Sequence, residues 1–131
     1  MKSNFLVFFF VLLGYALSAQ TVPKQIAFDA IASGDVEALI NYFDHHVELC
    51  FNDQIQVLDK QAASKAIRSF FEKNPPKSCA PIHGGVSKNN SSQYKIGSLT
   101  STNGKNFRVF VYTEEEAGKK VIKELRIMNV N

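Results

Sequence analysis

Cysteine is scarce in this sequence, with Cys50 and Cys79 the two in 131 residues. They stand too far apart for a CxxC pair, so neither a thioredoxin-type redox motif nor a cysteine-based zinc site is present. A Ser/His/Asp set and a glycine-rich phosphate cradle are missing as well. Charge of one sign is lacking, because 15 basic residues face 12 acidic ones and the two kinds are interspersed. Nucleic-acid binders concentrate positive charge on one face, so that class is excluded as a partner. No internal repeat or low-complexity segment interrupts the chain.

Long apolar runs are confined to the N-terminus. Phe5-Leu-Val-Phe-Phe-Phe-Val-Leu-Leu13 follows Lys2 and precedes small residues at Ala16-Leu-Ser-Ala19, the layout of a secretory signal. The run is shorter than the roughly 20 apolar residues that span a bilayer, and no cysteine at the cut offers a lipid anchor. Residues 1–19 are therefore expected to leave as a signal peptide, with 20–131 as one exported domain, periplasmic or secreted, without a stable membrane anchor. In an oxidising compartment a Cys50–Cys79 disulfide is one expectation, closing a loop of about 30 residues for roughly 3–4 kcal/mol. The other is that one or both cysteines are small buried apolar side chains.

Thr21 and Pro23 suit the start of a first helix, with Val22, Ile26, Ala27, Ala30 and Ile31 on one stripe and Ser33-Gly34 as its end. Asp35 caps a second helix carrying Leu39, Ile40 and Phe43, with His45 and His46 near its C-terminus. Val47–Phe51 alternates as a strand, Asn52-Asp53 turns, and Ile55–Leu58 returns beside it. Asp59 caps a third helix with Ala63, Ile67, Phe70 and Phe71 on its apolar face, stopped at Asn74-Pro75-Pro76. Strands are expected at Ile82–Ser87 and Gln93–Thr100, and two more lie within Asn106–Asn131.

The last hairpin carries the clearest register. Phe107, Val109 and Val111 alternate with Arg108, Phe110 and Tyr112, and Val121, Leu125 and Ile127 with Ile122, Glu124, Arg126 and Met128. A three-residue loop Glu116-Ala117-Gly118 would set Glu115 opposite Lys119, Val109 opposite Leu125 and Phe107 opposite Ile127. A two-residue turn at Asn103-Gly104 would pair Ser98 with Val109 and Ile96 with Val111, putting Tyr94 and Ile96 on the core face with Phe107. Helices first and an antiparallel meander after make one α+β domain.

The segment helix-Gly34-Asp35-helix ending in Leu39…Tyr42-Phe43…Val47, then a short hairpin, an aromatic-rich helix and a long meander, resembles the cone fold of nuclear transport factor 2 and ketosteroid isomerase, which is also the cystatin-like fold. More narrowly, the chain resembles a family of exported Bacteroidetes proteins known as a domain of unknown function. The resemblance rests on Tyr42-Phe43…Val47, Gln61-Ala62, Phe70-Phe71…Asn74, His83-Gly84, Tyr94…Ile96-Gly97…Leu99, Gly104…Phe107-Arg108-Val109 and Leu125-Arg126-Ile127. It departs at Cys79, where an aromatic is expected, and at Leu58-Asp59-Lys60, where Tyr-Ser is expected. The resemblance implies three N-terminal helices on a curved antiparallel sheet with an early hairpin and a four-strand terminal meander. It implies no activity.

Some cone-fold proteins use a pocket between sheet and helices for acid–base catalysis, which needs a carboxylate or His in apolar surroundings. No acid falls on a core-face strand position. His83, flanked by Gly84 and Gly85, is the one candidate base. Its facing depends on whether the Asn89-Asn90 turn has two residues, which sets it beside Ile96 on the core face, or three, which sends it outward. A lone His in such a place reads first as structural. Tyr42 and Tyr94 are its candidate partners as hydrogen-bond donors and, with it, candidate pocket residues. His45-His46 lacks a third ligand, so no metal or cofactor is expected. Arg108, Phe110, Tyr112 and Met128 share an outer sheet face whose composition suits a protein interface, and related cone folds dimerise through that face. The leading expectation is a non-enzymatic exported domain that binds a partner, itself or a small apolar ligand. The alternatives are a lyase or isomerase with His83 as base, and a structural role in the cell envelope.

Overall fold

The structure, a computed structural model, describes residues 26–130. The expected signal peptide 1–19, the Thr21 cap, Val22 and Pro23 lie outside the described residues. Helix α1 spans Ile26–Ser33 and α2 Val36–Ile40; strands β1 and β2 span Phe43–Phe51 and Gln54–Asp59. Helix α3 spans Lys60–Lys73, and β3 to β6 cover Pro76–Val86, Ser92–Ser101, Asn106–Glu116 and Lys119–Asn129. One six-stranded sheet results, in the order β2-β1-β6-β5-β4-β3. It is mixed rather than wholly antiparallel, because β1 runs parallel to β6.

Capping places the helices where the sequence puts them. Asp35 accepts a hydrogen bond from Ala38 N at 3.1 Å, and Asp59 accepts one from Ala62 N at 2.8 Å. Helix α2 is shorter than its apolar spacing predicts. Ile122 N donates to Tyr42 O at 2.6 Å, and Phe43 is already the partner of Ile122 in the sheet. Pairing with a strand 80 positions away thus overrides the helical periodicity. His45 and His46 consequently lie exposed in β1, not at a helix end.

Strand β3 begins at Pro76, six residues before the expected Ile82. Proline lacks a donor and is tolerated on a sheet edge, and β3 is an edge strand. Register shifts between Pro76 and Ser78 and between Pro81 and His83 absorb Lys77 and Ile82.

Two turns differ from expectation, and each moves a register. Between β4 and β5 the loop has three residues, Thr102-Asn103-Gly104: Ser101 N donates to Lys105 O at 2.9 Å, and Gly104 takes φ +89°. The third helix holds this loop in place. Asn103 Nδ2 donates to Lys73 O at 3.1 Å and Asn74 Oδ1 at 2.9 Å, and Thr102 N donates to Pro75 O at 2.8 Å. Leu99 therefore pairs with Phe107 and Ile96 with Phe110. The inward row of β4 is Lys95, Gly97 and Leu99, and Tyr94 and Ile96 turn to the outer face. Between β5 and β6 the turn has two residues, Ala117 and Gly118, both at positive φ. Glu116 then faces Lys119 and Glu115 faces Lys120. A bulge at Lys123 shifts the register again, so Val111 meets Leu125 and Val109 meets Ile127. The bulge carries Ile122, expected outside, into the core at 2% exposure.

The core fills the space between the helices and the inner sheet face. At its closed end Phe51 stacks on Phe70 at 4.9 Å, and Phe70 meets Phe107 edge-on at 5.1 Å. Leu99, Val109, Leu125 and Ile127 are fully enclosed. The buried hydroxyl of Ser101 donates to Pro75 O at 2.9 Å, so its burial carries no unpaired polar group.

Candidate functional site

The opposite end of the cone stays open. Phe28 of α1 is buried over Gly97, where a Cβ would come within 3.0 Å of the Phe28 ring and 2.8 Å of Ala80 O. Beyond Phe28 the helices part from the sheet and leave a cavity of about 710 Å³, within the range of about 300–1,000 Å³ common for small-molecule sites. Its walls are Ala27, Phe28, Tyr42, Val111, Val121 and Ile122. Asn41, Gln93 and Thr113 add neutral polar groups, and Lys95, Lys119 and Lys120 add positive charge. Among the described residues that line it there is no carboxylate, imidazole or thiol.

Lys95 stands in register with buried Val111, so it belongs to the inward row of a central strand. Lys120, two positions before inward Ile122, falls on the same face by strand alternation. The neighbouring acids are largely engaged elsewhere. Lys123 binds Asp44 at 2.7 Å, pairs with Glu116 and lies 3.9 Å from Glu114. Tyr112 also donates to Glu114 at 2.9 Å. The hydrogen bond from Lys123, then that from His45 N, holds the Asp44 carboxyl below the usual range. Hydrogen bonds to Asp44 and then Glu116 hold the Lys123 ammonium above its usual range. Glu115 is in register with Lys120, but no ion pair joins them among the described residues.

Of the pocket candidates read from sequence, Tyr42 lines the cavity, whereas His83 and Tyr94 do not. His83 stands beside Ile96, as a core-facing turn would require, but the three-residue loop after β4 has turned that row outward. It is exposed, and its ring meets Tyr94 edge-on at 6.1 Å. The His83–Tyr94 pair is thus on the solvent side of the sheet, apart from the cavity and from Tyr42.

Arg108, Phe110, Tyr112 and Met128 do share the outer face. Arg108, Phe110 and Met128 line a shallow hollow of about 420 Å³ with Ile96, Glu124 and Arg126. Arg126 pairs with Glu124 and lies 3.4 Å from Glu48; the Glu124 hydrogen bond is the main cause of its raised pKa.

The two cysteines are free. Cys50 Sγ lies 3.9 Å from Met128 Sδ on the outer face, whereas Cys79 pairs with inward Leu99 and packs on the core. Four strand spacings of roughly 4.8 Å also separate β1 from β3. The disulfide expectation is corrected on both counts. Burial, with a smaller effect from Asp29, pushes the Cys79 thiol up to about 12. Among the described residues no three His, Cys, Asp or Glu side chains gather as a metal site.

Sequence reasoning missed Phe28, Gln93, Lys95, Lys119 and Lys120. Reading Gly104 as the left-handed residue of a three-residue loop would have turned Gln93 and Lys95 inward. Nothing local marks Phe28 as the residue that roofs Gly97.

A family model described as Domain of unknown function (DUF4783) matches residues 25–128. A crystal structure of a DUF4783 family protein from Bacteroides ovatus is 31% identical, covers 86% of this chain and 99% of its own, and superposes with a TM-score of 0.76. One from Bacteroides uniformis is 26% identical over 85% of this chain and 99% of its own, also at 0.76. An NTF2-like protein of unknown function from Shewanella baltica, 11% identical, covers 81% of this chain and 86% of its own at 0.62, a likeness of fold alone. No curated protein matches the chain in sequence.

Proposed function

The chain belongs to the DUF4783 family, a domain of unknown function with an NTF2-like fold, and from that premise we propose that it is a non-enzymatic binding domain whose open-ended cavity takes a small, largely apolar ligand. The observation that carries this reading is the lining: apolar walls, neutral polar groups and lysines, with no carboxylate or imidazole among the described residues to move a proton. The lyase or isomerase alternative needs His83 and a tyrosine inside a cavity, and His83 lies on the other side of the sheet. The test is saturable binding of a neutral solvatochromic dye such as Nile red. One site per chain is expected, and Val121→Phe at the half-buried cavity wall should abolish it. A ligand present at ten times its Kd should raise Tm by about 6–11 °C. Absence of saturable dye binding by the folded protein sinks the reading.

A second reading, self-association through the outer sheet face, is favoured by exposed apolar side chains there. Ile55 and Val57 are 56% and 66% exposed, and they pair with Cys50 and Glu48 on the face that holds Phe110 and Met128. Sedimentation should show a dimer that Phe110→Asp converts to monomer; a monomeric parent protein at every concentration ends this proposal. We propose export separately, on the pattern of residues 1–19. Protein recovered from the exported fraction should begin at or near Gln20, whereas an intact Met1 in that fraction would exclude cleavage.

A further inference from the structure

Resting on the ligand-binding reading above, we propose that the ligand is an anionic amphiphile, an apolar body bearing one carboxylate head, with the head held at the cavity mouth by Lys119 and Lys120. Among the described residues three lysines and no acid line a cavity whose other walls are apolar or neutral polar. A neutral ligand would add no ion pair to Lys119 and Lys120, and a cationic one would be repelled.

The local ion pairs sharpen the asymmetry. The β5–β6 hairpin carries Glu114, Glu115 and Glu116 against Lys119, Lys120 and Lys123, so on composition alone it is neutral. The bulge at Lys123 breaks this symmetry by drawing Lys123 to Asp44, Glu114 and Glu116. Lys119 and Lys120 make no ion pair among the described residues and stand at the cavity instead. Glu114 and Glu116 are thus engaged with Lys123, whereas Glu115 stays in register with Lys120, so the cavity-lining pair Lys119 and Lys120 outnumbers the one acid left opposite it. Lys95 adds a further positive group from the inward row of β4. Asn41, Gln93 and Thr113 supply uncharged hydrogen-bonding groups beside them. Ammonium groups at the rim let a carboxylate stay partly hydrated while the chain behind it is buried, which keeps its desolvation cost low.

Displacement of Nile red from the purified protein by three ligands of equal chain length tests this: dodecanoate, 1-dodecanol and dodecyltrimethylammonium. Dodecanoate should displace the dye at concentrations about tenfold lower than dodecanol, and the cation should be weakest. Added salt should shrink the dodecanoate advantage. The double variant Lys119→Gln/Lys120→Gln, both exposed positions, should remove most of the dodecanoate advantage over dodecanol. Equal displacement by all three, or preference for the cation, overturns the charge inference but leaves the cavity as a binding site. An unchanged dodecanoate preference in the double variant overturns the assignment to Lys119 and Lys120. Failure of Nile red to bind at all removes the parent reading as well.

Discussion

Lys95 occupies a position that amphipathic patterning assigns to solvent, between Tyr94 and Ile96, yet it belongs to the inward row of β4. The thiols show the same dependence on facing. Cys50 is buried against Met128 and Cys79 against the core, on opposite faces. Native protein should therefore resist alkylation at pH 8, and both residues should react after unfolding, as read by mass. A species two hydrogen atoms lighter, with neither thiol modified after denaturation, would contradict this. Asp44 gives a pH prediction. Its carboxyl is held low by Lys123, so its contribution is complete above the unfolded value of about 3.9 and lost as pH falls through the lowered folded pKa. Asp44→Asn should cost up to about 1 kcal/mol near neutrality. The stability curves of parent and variant should converge in strong acid; a constant offset at all pH values would remove the linkage.

At the scale of elements, turn length decides what each strand presents. Gly104 at φ +89° closes a three-residue loop, and open space surrounds its missing Cβ. Gly104→Ala should therefore cost about 1–2 kcal/mol through backbone strain alone. Gly97 has an ordinary φ and a crowded one-atom margin beneath Phe28. Gly97→Ala should cost about 1–3 kcal/mol by overpacking and lower Nile red affinity, because Phe28 is a cavity wall. Denaturant midpoints separate the two, with only Gly97→Ala expected to change dye binding. The strands themselves were legible from alternation, and the helix starts from Asp35 and Asp59. The registers were not, since a loop of two or three residues is chosen by partners such as Asn74 and Pro75, far from the loop in sequence. Nor was β3 before Ile82, because proline reads as a breaker until the strand is known to be an edge.

At the scale of the molecule, three helices cover one face of the sheet, and among the described residues none covers the other. The closed end, with Phe51, Phe70, Phe71 and Phe107, fixes the structure, and the open end holds the cavity. Because a single core joins all elements, unfolding should be one cooperative transition, coincident by near- and far-ultraviolet dichroism. Two separated transitions would mean that the open end melts by itself.

The amino-acid sequence by itself determined the α+β class, the Asp35 and Asp59 helix caps, the apolar stripe of α3 and the family, since each depends on near neighbours or on pattern. Tertiary structure alone decided that His83 and Tyr94 face solvent, that Cys50 and Cys79 lie apart, and that Lys95, Lys119 and Lys120 line one cavity. The physical reason is the two-residue period of a strand: one residue more in a loop, or one bulge, exchanges its faces. Contacts made across the sheet and with the end of α3 choose that residue.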